Sequence, residues 1–170
     1  MFRVVTLGEV PADQIGRVVS SLHVAYGVGS EHVGSQQAPK DVNQGDAFDA
    51  VKLLTAVAAV QTFADDKVVY VTTRALAPRT LLTGKAPTSG FAQFAGERAV
   101  ISSAGLGTGD VLLRRLGKHA VHEAGHTWHL HHCLDPRCSM HPPWTPAFVA
   151  GEAILCQFCR DKSEKKIQRG

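Results

Sequence analysis

Apolar residues recur along this chain in two rhythms, and the switches between them mark out its elements. The opening run Phe2-Arg3-Val4-Val5-Thr6-Leu7 is short and rich in β-branched residues, which predicts a buried strand. Pro11-Ala12-Asp13 then opens a helix that carries Ile15, Val18, Val19 and Leu22 on one face. The stretch from Gly27 to Gln44 is polar and rich in Gly, Ser and Gln, and predicts a long surface loop. Asp46 or Asn43 can cap a helix from Ala47 to Phe63, apolar almost all round and so expected to be well buried. Lys67 to Thr73 holds Val68, Val69, Tyr70 and Val71 between turn residues and reads as a second strand. Alternating strand, helix and strand implies parallel pairing through crossover helices.

Pro78, Gly84, Pro87 and Gly90 make the chain from Leu76 to Gly90 a second long loop. Phe91 to Phe94 and Ala99 to Ser103, separated by Gly96, are close enough to pair as a hairpin, and one of them can form a sheet edge. From Gly109 a helix runs through Val111, Leu112, Leu116, His119 and Val121 towards Leu130. After it the pattern is irregular until a final helix from about Pro146 to Lys166. There is no internal repeat.

Composition changes this picture little. The 170 residues, 44% hydrophobic and 19% charged, suit one soluble globular domain able to bury most of its apolar surface. The longest apolar stretch, around Leu53 to Val60, is too short to span a bilayer, and Met1 to Glu9 has no basic region followed by a sustained apolar run. Both point to the cytoplasm. The net charge of +3 sharpens only in the tail from Arg160 to Arg169, where no aromatic residues interleave the charges, an argument against nucleic-acid binding.

Cysteine and histidine are distributed unevenly, and this does change the picture. The four cysteines all lie at or beyond Cys133, and seven of the nine histidines fall between His119 and His141. In a chain expected in the cytoplasm such clustering favours metal binding over disulfides. His122-Glu123-Ala124-Gly125-His126 sits inside a helical pattern, so its two imidazoles share one face a turn apart. Both can then reach one zinc ion at about 2.0–2.1 Å. Glu123 is rotated aside from ligation yet within reach of a zinc-bound water, whose proton it can take. A catalytic zinc needs a third ligand, and His129, His131 and His132 all offer one. Cys133, Cys138, Cys156 and Cys159 form two close pairs suited to a closed tetrahedral zinc site. A redox pair, the alternative, belongs at a helix N-terminus, whereas Cys156 and Cys159 lie well inside the expected final helix. Trp144 and Phe148 can line a pocket or simply pack, and His119 and His141 have no spacing that requires them as ligands.

In these residues the sequence resembles the metzincin clan of zinc metalloproteases. There a third histidine follows six residues after the second, the place of His132, and a methionine turn lies beneath the metal. The clan has glycine three residues after the second histidine, where this chain has His129. If that position keeps a positive φ, the side chain costs about 1–3 kcal/mol. The cysteine spacing narrows the resemblance to the archaemetzincins. It implies a second, structural zinc on Cys133, Cys138, Cys156 and Cys159, with Met140 as the turn methionine, although the stretch from Met140 to Cys156 is about two residues shorter than in that family. It also implies an α+β, zincin-like fold: a twisted, mostly parallel sheet with an antiparallel edge strand, flanking helices and an active-site helix. Residues 1–131 would form an upper subdomain and 132–170 a small irregular lower one with a final helix. The activity it implies is peptide hydrolysis by a monomer, as an endo- or aminopeptidase, on a peptide or protein substrate paired along an edge strand near Phe91 to Phe94. Two other readings stay open: a weak or inactive zinc module that binds protein or nucleic acid, and a different zinc amidohydrolase on the same scaffold.

Overall fold

The computed structural model describes residues 1–63, 65–77, 88–143 and 151–168. The elements are β1 (Phe2–Leu7), α1 (Ala12–Tyr26), β2 (Ser30–Gln36), β3 (Asn43–Gln44), β4 (Ala47–Asp49), α2 (Ala50–Ala56), β5 (Lys67–Thr72), β6 (Ala75–Ala77), β7 (Gly90–Ala92), β8 (Arg98–Ser102), α3 (Gly109–Thr127) and α4 (Gln157–Ile167). Five strands make the main sheet in the order β2-β1-β5-β8-β7. Its first four strands run parallel, and β7 joins β8 antiparallel at the edge. The expected mostly parallel sheet with an antiparallel edge is the one found.

Side-chain alternation divides the core between the two faces of this sheet. Phe2, Val4, Val69, Val71 and Ile101 face α1 and α3, with Leu22, Leu116, Ala120 and Val121 opposite them. Val5, Leu7, Val68, Tyr70 and Val100 face the other way, onto Leu53 and Leu54 of α2 and onto Phe48 and Leu76. The last two belong to a small second sheet, β3-β4-β6. The central strands are therefore covered on both sides, which is why they read as continuous apolar runs.

Four expectations are corrected. The polar stretch after Gly27 contains β2, which pairs in parallel with β1 from Ser30 to Gln36. As an edge strand, half or fully exposed along its whole length, it shows no apolar alternation; backbone pairing alone defines it. The helix expected from Ala47 to Phe63 spans only Ala50–Ala56, and its cap is neither Asp46 nor Asn43 but Asp49, whose side chain accepts the Lys52 N–H at 2.9 Å. Ala47–Asp49 pairs as β4 instead, and beyond Val57 the residues up to Phe63 are mostly exposed, so no buried face sustains a helix there. Within the second expected loop, Ala75–Ala77 forms β6 beside β4; the rest of that loop up to residue 87 lies outside the described residues. Finally, α4 begins at Gln157, with Cys156 as its N-cap residue, about ten residues later than expected. Among the described residues no helix is long and apolar enough to cross a membrane.

Candidate metal centre

α3 carries its histidines into the core: His122 is 1% exposed, and His126 lies one turn further on, half-buried. Each ring is oriented by a carbonyl. His122 Nδ1 lies 2.7 Å from the Ser139 oxygen, and His126 Nδ1 lies 2.8 Å from that of Leu130. A carbonyl only accepts, so both Nδ1 atoms carry protons. Burial, before any neighbouring charge, pushes the His122 imidazole down to about 3, and it lowers His126 and His132 as well. The two Nε2 atoms face each other 3.1 Å apart. Two ligands of a tetrahedral zinc, each at about 2.0–2.1 Å, would be separated by roughly 3.3 Å.

The donor atoms of His122, His126 and His132 lie within 4.8 Å of one another. His132 thus comes within reach of the pair, and the rings of His129 and His131 lie against Phe94. A helix stop makes this possible. Trp128 is the C-cap, the His129 N–H returns to the His126 carbonyl at 3.2 Å and the Leu130 N–H to the Gly125 carbonyl at 3.0 Å. This is a Schellman closure, and it needs a left-handed residue after the cap. His129 supplies it with φ +63°. The same turn aims the Leu130 carbonyl back at His126.

Glu123 is 6% exposed and points at β7. A Cβ at Gly90 would fall 2.6 Å from Glu123 Cγ and 2.8 Å from its Oε1, so this strand and the carboxylate fit only because position 90 has no side chain. Burial pushes the carboxyl up to about 8. On another side of α3, Met140 is fully buried against Gly125, where an added Cβ would lie 2.3 Å from its sulfur and 2.9 Å from the Tyr26 hydroxyl oxygen. Tyr26 in turn donates to the Val121 carbonyl at 2.6 Å. Gly125 is thus a close-approach glycine over the methionine.

The four cysteines are free thiols whose sulfurs also lie within 4.8 Å of one another. Cys133 Sγ and Cys156 Sγ are 3.8 Å apart, about the separation of two thiolates bound to one tetrahedral zinc at about 2.3 Å. The backbone N–H groups of Met140 and Cys156 both donate to Cys138 Sγ at 3.4 Å. A hydrogen bond from the Cys159 thiol, and then those backbone donors, outweigh burial and hold the Cys138 thiol down to about 5. Because α4 starts at Gln157, the Cys156–Cys159 pair does sit at a helix N-terminus, contrary to the expectation used against a redox role. The case for metal rests instead on four sulfurs converging with thiolate-stabilising donors. His141 Nδ1 hydrogen-bonds the Cys133 carbonyl at 3.0 Å and His119 is buried on α3; Trp144 and Phe148 lie outside the described residues. Sequence reading missed Gly90, Ser139 and Leu130. A glycine opening a strand was a visible signal, but carbonyl partners leave none.

No family model and no curated protein matches the chain. Solved structures do. An archaemetzincin from Methanopyrus kandleri superposes with a TM-score of 0.84 at 23% identity, over 99% of this chain and 95% of that one. The chain has the archaemetzincin fold. An archaemetzincin from Archaeoglobus fulgidus, complexed with malonate, gives 0.78 at 21% identity over 95% of this chain and 99% of that one. A zinc-dependent peptidase from Methanocorpusculum labreanum gives 0.78 at 20% identity over 96% and 100%. Within the archaemetzincin fold, α3 carries the two helical histidines, and the chain beyond its end brings His132 and the cysteines back beside them.

Proposed function

We propose that this chain is a zinc metallopeptidase, with a catalytic zinc on His122, His126 and His132, Glu123 as general base, and a structural zinc on Cys133, Cys138, Cys156 and Cys159. The observation that carries the reading is the convergence of three imidazole donor atoms within 4.8 Å of one another, two of them 3.1 Å apart on rings oriented by the Ser139 and Leu130 carbonyls. Three nitrogen ligands leave a tetrahedral ion one position for solvent, whereas four thiolates leave none. The likeness to structures described as archaemetzincins and as a zinc-dependent peptidase supports the same class.

Zinc at the histidine site would supply Lewis acidity, polarising a peptide carbonyl and acidifying water. The protein's own part follows from its geometry. Ser139 and Leu130 hold the imidazoles in register, and Glu123, shielded from solvent beside Gly90, takes the proton of the attacking water and passes it to the departing amine. Met140 gives the site an apolar floor.

Replacing Glu123 by Gln tests this. Elemental analysis is expected to give two zinc per chain in wild type and variant, with chelator-sensitive cleavage of a peptide library in wild type only, the variant falling by a factor of about 10²–10⁴. Unchanged turnover in the variant would remove Glu123 from the mechanism. Two zinc without cleavage by wild type would favour the binding module, and one zinc would mean that a cluster had been misread.

A further inference from the structure

Among the described residues β7 is paired on one side only, with β8. The Ser89 carbonyl accepts from the Ser102 N–H at 2.8 Å, and the Gln93 N–H donates to the Arg98 carbonyl at 2.9 Å. In an antiparallel ladder the residues between those pairs alternate, so Gly90 and Ala92 turn their backbone groups away from β8. An extended peptide can pair there at Ala92, whereas the Gly90 N–H donates to the Thr88 hydroxyl at 3.4 Å and the Gly90 carbonyl accepts from it at 2.8 Å.

Side chains alternate in the same way. Phe91 packs into the core on the far face, while positions 90 and 92 face α3, where Gly90 meets Glu123. Past β7 the chain enters a turn closed by the Gly96 N–H on the Gln93 carbonyl at 2.9 Å, and within it the Phe94 ring centroid lies 6.3 Å from that of His126, 5.6 Å from His129 and 4.7 Å from His131. The neighbouring Ala95 N–H donates to the His126 carbonyl at 2.9 Å, which anchors the segment to the end of α3. Phe94 is thus firmly placed beside a metal-binding imidazole, yet it remains 49% exposed, and His129 and His131 are exposed beside it. An aromatic ring seated this way is not core filling.

We propose that Phe94, flanked by His129 and His131, walls a subsite that takes an aromatic side chain of an extended peptide. This rests on the peptidase reading and adds a side-chain preference to it. A peptide whose reacting carbonyl lies beside Glu123 and the histidines passes this wall of rings, because Phe94 stands against His126 itself. Aromatic rings pack offset or edge-to-face with a gain beyond the area they bury, and Phe94, His129 and His131 present such rings together.

The test is cleavage profiling of a peptide library by zinc-loaded wild type, Phe94→Ala and Phe94→Trp, with binding of the same peptides to Glu123→Gln protein followed by fluorescence anisotropy. Wild type is expected to favour an aromatic residue at one fixed position relative to the cleaved bond, by about tenfold in kcat/KM over alanine. Phe94→Ala should lose that preference through KM, and Phe94→Trp should restore it, with zinc content unchanged in both. Cleavage by wild type without a preference there, or a preference that survives Phe94→Ala, overturns the subsite and leaves the peptidase reading standing. A wild type that neither cleaves nor binds any peptide removes both.

Discussion

His129 carries a side chain in a backbone region that disfavours one, at φ +63°. A non-glycine residue there costs about 1–2 kcal/mol, and glycine recovers part of that after its larger unfolded-state entropy is counted. The sequence marked this position because the resembling clan has glycine at it, but only the structure shows that the left-handed turn is kept. His129→Gly is therefore expected to raise the urea midpoint, by the equivalent of about 0.5–1 kcal/mol. A lowered midpoint would mean that the contact of the His129 ring with Phe94 outweighs the backbone strain.

The loop between α3 and α4 links the two clusters. His132 and Cys133 are consecutive residues, so one stretch of backbone serves both. Cys138 is followed by Ser139, whose carbonyl orients His122 and whose N–H is held by the Ile154 carbonyl at 2.7 Å. The Cys133 N–H closes the loop onto the Met140 carbonyl at 2.8 Å. Losing a cysteine of the other cluster should therefore loosen the histidine site. Cys156→Ser is expected to weaken cobalt binding there by about 10- to 100-fold, read from the ligand-field bands, with Cys156→His restoring it. Equal affinity in wild type and Cys156→Ser would show that the two sites are independent. The cysteine spacing made the cluster legible in the sequence; the coupling was not, because it runs through carbonyls, which every residue has.

Across the whole molecule, Asp66 ties the starts of β1 and β5 together. Burial alone would push its carboxyl up, but the Phe63 N–H at 3.1 Å, Arg3 at 2.9 Å and the Met1 amino group at 3.3 Å outweigh that and hold it below its ordinary 3.8. A carboxyl lowered in the folded state adds stability that is present above the unfolded value and lost as pH falls through the folded one. Wild type should thus lose stability as pH drops below about 3.8. Asp66→Asn should flatten that acid limb while lowering stability at pH 7 by about 1–3 kcal/mol, measured by denaturant titration at each pH. An acid limb as steep in the variant as in wild type would assign the acid sensitivity to other carboxyls.

The sequence by itself determined the buried strands, the helical placement of His122, Glu123 and His126, and the set of four cysteines. Those features depend on local period and residue type, which the chain displays directly. Tertiary structure decided that Ser30–Gln36 is an edge strand, that the apolar run after Ala56 leaves the helix, and that α4 waits until Gln157. It also brought His132 within 4.8 Å of the helical histidines, and set Gly90 against Glu123. These outcomes hang on which surfaces find partners and on where carbonyls point, and both are fixed only when distant segments meet.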